Sequence, residues 1–220
     1  MNARSLFRRA YVLLGWFVGV IFGLFVILVL CRIPIVFGQQ KTQEMVANIH
    51  AGHLNVSDVN GINLPQQPDQ VQNNTKLAGI DANANGIRDD AELFIFKLHP
   101  LNTKSVSFSY RIRAAELQYA KALQRYLTSV TNSETLVAVI QEDERGSFCI
   151  HDALRSTVFK DRLNNDVAWN DYFSTSTAQI KQIDQLVFNT KQRKDKYNEV
   201  FAKYMTSYGS LGNTNCDLSI

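Results

Sequence analysis

Apolar positions along this chain fall into two regimes. The first is unbroken: Ala10 to Cys31, AYVLLGWFVGVIFGLFVILVLC, carries no charged residue over twenty-two positions. A helix needs roughly 20 apolar residues to cross the hydrocarbon core of a bilayer, so this stretch predicts one transmembrane helix. The second regime, beyond residue 77, is periodic. Leu93, Phe94, Ile95 and Phe96 predict a short helix over Ala91–Leu98, stopped by His99-Pro100. Between Ser105 and Val130, Phe108, Ile112, Ala115, Tyr119, Ala122, Tyr126 and Val130 recur at steps of three and four, the spacing of a long amphipathic helix. Ser133 is placed to cap the next helix, which would bury Leu136, Val137, Val139 and Ile140 and break at Gly146. A further helix is expected over Ser156–Asn164. Asp166–Phe173 offers Val167, Trp169 and Phe173 for burial without declaring its form. The last helix is expected over Ala178–Tyr208, with the stripe Ile180, Ile183, Val187, Tyr197, Phe201, Tyr204 and Tyr208. No stretch alternates with period two. The expected fold is all-α: an N-terminal transmembrane helix, then a helical bundle.

The intervening residues are of another kind. Ile33–Gly38 leaves the membrane with Pro34, and Gln40–His53 predicts a short helix with Met45, Val46 and Ile49 on one side. Asn55–Lys76, NVSDVNGINLPQQPDQVQNNTK, is rich in Asn, Gln and Pro and reads as a linker. The chain then divides into a tail (1–9), a span (10–31), a stalk and linker (32–76) and a helical extracytoplasmic domain (77–220).

Charge sets the orientation. Arg4, Arg8, Arg9 and Arg32 lie in the first 33 residues, which contain no acid; the remainder holds 19 basic and 20 acidic residues. The positive-inside bias then places the N-terminus in the cytoplasm and the larger part outside, as in a single-pass bacterial inner-membrane protein facing the periplasm. The near-neutral remainder lacks the one-signed field of a nucleic-acid binder. Cleavage near Val36-Phe37-Gly38 would release the domain instead. The apolar run is longer than the 7–15 residues usual in a signal peptide, which favours retention. Gly15, Gly19 and Gly23 recur every four residues on one helix face, where a second transmembrane helix could approach, so self-association in the membrane is expected as well.

One stretch carries recognisable chemistry. Asp81–Glu92 reads DANANGIRDDAE. Counted from Asp81, oxygen-bearing side chains fall at positions one, three, five, nine and twelve: Asp81, Asn83, Asn85, Asp89 and Glu92. Gly86 stands at six, where an ion-wrapping loop turns sharply, and Ile87 at seven would offer its carbonyl. Calcium takes six to eight oxygens, and a tightly curled loop can converge that many from twelve residues. The loop resembles that of the EF-hand and, more closely, the calcium loops of thrombospondin type 3 repeats. The EF-hand places its apolar residue at position eight, where this chain has Arg88. Ile87 at seven and Asp89 at nine follow the thrombospondin-like spacing, whereas Glu92 at twelve is the EF-hand ending. The resemblance covers these twelve residues alone. It implies one Ca2+ held by Asp81, Asn83, Asn85, Ile87, Asp89 and Glu92. Two amide ligands lower the site's charge, so weak binding, roughly 0.1–1 mM, is expected.

Cys149 and Cys216 are the only thiols beyond the span, and in an oxidising compartment they are expected to pair. The rival reading makes Cys149 a nucleophile with His151 as base. His50 and His53 read as exposed polar residues, Glu142-Asp143-Glu144 beside Arg145 as solvated charge at a helix end, and Lys191–Lys196 (KQRKDK) as a solvated face or kink. No nucleophile elbow, phosphate loop, zinc motif or dinucleotide fingerprint is present. The favoured expectation is therefore a membrane-anchored periplasmic calcium-binding protein that binds or scaffolds other envelope or membrane proteins. A membrane-tethered envelope hydrolase and a secreted calcium-binding protein are the alternatives.

Overall fold

The computed structural model describes residues 3–100, 106–158, 166–206 and 214–218; their side chains are described except at 3–13, 34–35, 106, 156–158 and 166–168. The tail arginines' side chains, most of the helix expected over Ser156–Asn164, and Tyr208 lie outside this set. The chain forms two units, Met1–Glu44 and Met45–Ile220.

The first unit is most of α1 (Ala3–Ala51), a 49-residue helix. At 1.5 Å per residue it is about 73 Å long. It is long and apolar enough to cross a membrane, and its large apolar side chains, Trp16, Phe17, Phe22 and Leu28 among them, are exposed. The positions of Gly15, Gly19 and Gly23 have open space around them. The helix does not end at Pro34: the separate helix expected from Gln40 is the last part of α1. Proline is tolerated in membrane-type helices, since it removes one donor while the flanking turns persist.

The second unit holds the end of α1 and α2 (Val56–Asn60), α3 (Gln70–Thr75), α4 (Asp89–Leu98), α5 (Val106–Thr128), α6 (Ser133–Val158), α7 (Asp166–Val187) and α8 (Lys191–Tyr204). It contains no strand among the described residues. Helix α5 is central and packs on α2, α4, α6, α7 and α8. Its predicted apolar stripe is buried through Ile112, Ala115, Tyr119, Ala122 and Tyr126. Because neighbours surround it, Arg113, Glu116, Gln118 and Gln124 are buried too, each with a partner. Arg113 donates to Val59 O and His99 O, Glu116 accepts from His99, Gln118 accepts from Asp217 N, and Gln124 donates to Ala78 O. Pairing of this kind offsets the cost of burying polar groups.

Several expectations are corrected here. Helix α6 runs straight through Gly146. The glycine is where α6 crosses α5 closely: a Cβ there would lie 2.8 Å from Tyr119 Cα. The first-turn amide of α6 is capped by Asn132 rather than Ser133, through Asn132 Oδ1 and Thr135 N at 2.9 Å. The single helix expected from Ala178 is two, α7 and α8, interrupted at Phe188–Thr190, and Thr190 caps the second through Arg193 N. Within KQRKDK, Arg193 is wholly buried. Glu142 and Arg145 are also buried, mid-helix. His53 is exposed as expected and His50 half-buried, and they pair with Asp217 and Glu142.

The supposed linker Asn55–Lys76 carries α2 and α3 and buries Val59 and Asn73. It is held chiefly through its backbone and amides. Arg193 donates to the carbonyls of Asn73, Lys76 and Leu77, and Asn73 Oδ1 accepts from Ile80 N. Such anchoring leaves no apolar periodicity to read.

Candidate functional site

The segment Asp81–Glu92 curls before α4 and runs into its first turn. Asp89 N donates to Ile80 O at 2.8 Å and closes the loop at its base. Asp81 accepts from Asn85 N at 3.2 Å and Gly86 N at 2.9 Å, and Asn85 Oδ1 accepts from Ile87 N at 2.8 Å. Asn83 Oδ1 accepts from Asn85 N at 3.3 Å, and Asp89 Oδ1 accepts from Ala82 N at 2.9 Å. Ala84 and Gly86 take left-handed backbone, φ 56° and 85°, which short turns of this tightness require. Ile87 packs its side chain into the core at 1 % exposure.

Glu92 ends the loop inside the protein, with 0 % exposure. Its Oε2 accepts from Asn83 Nδ2 at 3.0 Å, and its Oε1 and the neighbouring Nδ2 of Asn85 both fall outside hydrogen-bond geometry with any described residue. Burial pushes its carboxyl up to about 7, against the nearby amides of Asn83 and Asn85 and with help from Asp58 and Asp89. Burial likewise raises Asp89; the Ala82 amide opposes this, and Asp81 and Asp90 add to it. A buried carboxylate oxygen without a donor is costly. The donor set is all oxygen, which suits a hard cation. Among the described residues no group of three or more His, Cys, Asp or Glu side chains is placed to hold a metal alone, so an ion here would depend on the two Asn residues and the Ile87 carbonyl as well.

Two neighbours of the loop escape a reading by motif. Asn63 O accepts from Asn83 Nδ2 at 2.8 Å, so the turn after α2 backs the loop. Arg88, in the position where an EF-hand has an apolar side chain, is 1 % exposed. It donates to Leu186 O and Val187 O at the end of α7 and pairs with Asp90. The departure at position eight is visible in the sequence; its partner, about a hundred residues away, is not.

Cys149 and Cys216 form a disulfide, S–S 2.08 Å, which removes Cys149 from consideration as a nucleophile. His151 lies instead against the rings of Tyr172 and Phe173. Asp143 accepts from Tyr126 OH and Asp184 from Tyr119 OH, both at 2.8 Å, tying α5 to α6 and α7. Burial pushes Asp143 up to about 7, Tyr126 opposing and Asp184 adding to the shift. The fold therefore favours the neutral acid. Its contribution is complete below the unfolded value of 3.8 and is lost as pH rises through about 7. Asp143→Asn keeps an acceptor for Tyr126 without the charge. Between pH 5 and 8 the wild-type thermal midpoint should fall further than that of the variant, by roughly 5 °C. Parallel curves for the two proteins would show that the charge is not suppressed.

No family model, curated protein or solved structure matches this chain.

Proposed function

We propose that this chain is a membrane-anchored, extracytoplasmic calcium-binding helical protein that serves as an interaction or scaffold module of a bacterial envelope. The observation that carries the ion is Glu92, wholly buried with an oxygen lacking a donor at the twelfth position of the loop. The remaining residues fit the same reading: Asp81, Asn83, Asn85 and Asp89 supply side-chain oxygens, and Ile87 a carbonyl. When bound, a calcium ion would compensate the buried charge and tie the loop to the start of α4. Arg88 joins that start to the end of α7, which gives the site a structural role in holding the helices together. The long apolar α1 supports the anchor, and the arginine-rich first residues support a cytoplasmic N-terminus. The face of Gly15, Gly19 and Gly23 suits pairing with a second membrane helix.

The test uses the full chain in detergent micelles. Thermal unfolding is followed as calcium rises from a chelated baseline to 10 mM. For binding at 0.1–1 mM this is roughly 10 to 100 times the dissociation constant, worth about 1.4–2.7 kcal/mol and a shift of several degrees. Asp81→Ala and Glu92→Gln should each remove the shift. Magnesium, which demands a tighter octahedron, should not reproduce it. An unmoved midpoint in wild type, or an equal shift in Asp81→Ala, rejects the ion site.

A further inference from the structure

Residues 214–218 lie against α5, α6 and the segment following α1, and are held by more than their disulfide. Asp217, next to Cys216, buries a side chain that is 2 % exposed. It accepts from His53 Nδ1 at 2.7 Å, Leu54 N at 2.8 Å and Arg145 Nη1 at 2.5 Å. Its own amide donates to Gln118 Oε1 at 2.9 Å, and Asn215 O accepts from Arg145 at 3.2 Å. One acidic residue thus fastens the segment following α1 to α5 and α6. Other ties on that segment are Arg125 to Gly52 O, Lys121 to His53 O and Arg145 to His53 Nδ1, and His50, in the last turn of α1, pairs with Glu142. A pocket of about 810 Å³, partly open to solvent, is lined by residues 214–218 together with α5, α6 and Leu54. Its lining includes both cysteines, and its apolar floor is Leu54, Ala114, Ala115 and Ala153. Cys149 is 1 % exposed, whereas Cys216 is only half-buried.

We propose that the tail is a redox-released strap: opening Cys149–Cys216 frees Asp217, loosens residues 52–54 and uncovers the apolar floor of the cavity. The co-reactant is an external dithiol. Its thiolate attacks Sγ of Cys216, the less buried sulfur, forming a mixed disulfide. The electron pair of the broken S–S bond leaves on Cys149, which takes a proton. The reductant's second thiol then displaces Cys216 as a thiolate, which is protonated in turn. Two electrons pass to the protein, and the reductant ends as its own disulfide. Released, the tail takes one of the two carboxylates from Arg145, and Glu142 remains. The helices do not depend on the tail for their own hydrogen bonds, so the change is local. This inference is independent of the calcium site.

Hydrogen exchange on the full chain in micelles tests it, with and without dithiothreitol at neutral pH, free thiols being alkylated afterwards. Reduction should label both cysteines and raise exchange over residues 52–56 and 214–218 about tenfold or more, while α5 and α6 keep their protection. The Leu54 amide, bonded to Asp217, reports directly. Asp217→Asn, with the disulfide intact, should loosen residues 52–56 in the same way. Unchanged exchange there after reduction, unchanged exchange in Asp217→Asn, or loss of protection throughout α5 and α6 on reduction would each overturn the strap.

Discussion

Arg193→Met lowers the thermal midpoint by roughly 10 °C, while Lys194→Met beside it leaves the midpoint within about 1 °C. The two residues stand in one basic run, and only burial separates them. Arg193 is 0 % exposed and donates five hydrogen bonds. Three go to the carbonyls of Asn73, Lys76 and Leu77, and two to the side chains of Asn74 and Asn189. Burial, with Arg88 nearby, lowers its pKa to about 10, so it stays charged at neutral pH. Methionine fills much of the same space but leaves those carbonyls without donors in the interior. Leaving a buried acceptor without its donor costs roughly 1–3 kcal/mol, and with three carbonyls stranded the loss is roughly 3–5 kcal/mol. Lys194 is exposed, and its loss removes solvated charge only. Arg193→Lys should fall between the two, since an ammonium cannot reproduce the planar fork. Equal midpoints for Arg193→Met and Lys194→Met, from the helical signal of the full chain, would show the clamp to be without weight.

The contrast between these neighbours marks what could be read from sequence. Apolar spacing located α4 and α5 to within a few residues, because both bury a stripe at helical period. It failed where burial is polar. Arg193, Arg145 and Glu142 sit in runs that look like solvated charge; beside the local contacts Glu142–Arg145 and Asn189–Arg193, their partners are backbone carbonyls, His50, Arg125 and Asp217 from distant segments, which leave no local trace. The Asn- and Pro-rich stretch before the loop looked unstructured for the same reason: it is held chiefly by Arg113 and Arg193, and of its own apolar side chains Val59 is buried while Val56, Ile62 and Val71 are exposed. Within Asp81–Glu92, the oxygen spacing and the turn at Gly86 were legible because the loop's geometry is set by near neighbours. The support from Asn63 and the link from Arg88 to α7 were not, since both join parts of the chain that only folding brings together. Cysteine pairing was legible from the count of thiols and the expected compartment, but nothing in the tail announced that Asp217 fastens the segment after α1.

Gly146→Ala should destabilise the domain although alanine is the better helix former. In open helix the exchange gains about 1 kcal/mol. At Gly146 the new Cβ would lie 2.8 Å from Tyr119 Cα, 3.1 Å from its N and 3.2 Å from its Cβ. Two of these are backbone atoms of α5, which cannot rotate away as a side chain can. Nor can α5 retreat as a body, because α2, α4, α7 and α8 also pack on it and Tyr119 is bonded to Asp184 on α7. The helices must part, and overpacking of this kind costs typically 1–3 kcal/mol. The clash outweighs the propensity gain, giving a midpoint lower by a few degrees for alanine and by roughly 10 °C for Gly146→Val, whose branches meet the same wall. The identical exchange at Gly38, also helical but with nothing within 4 Å of the new Cβ, should leave the domain's midpoint unchanged. A more stable Gly146→Ala would mean that α5 and α6 yield at their crossing, and that the glycine is there by chance rather than to let two backbones meet.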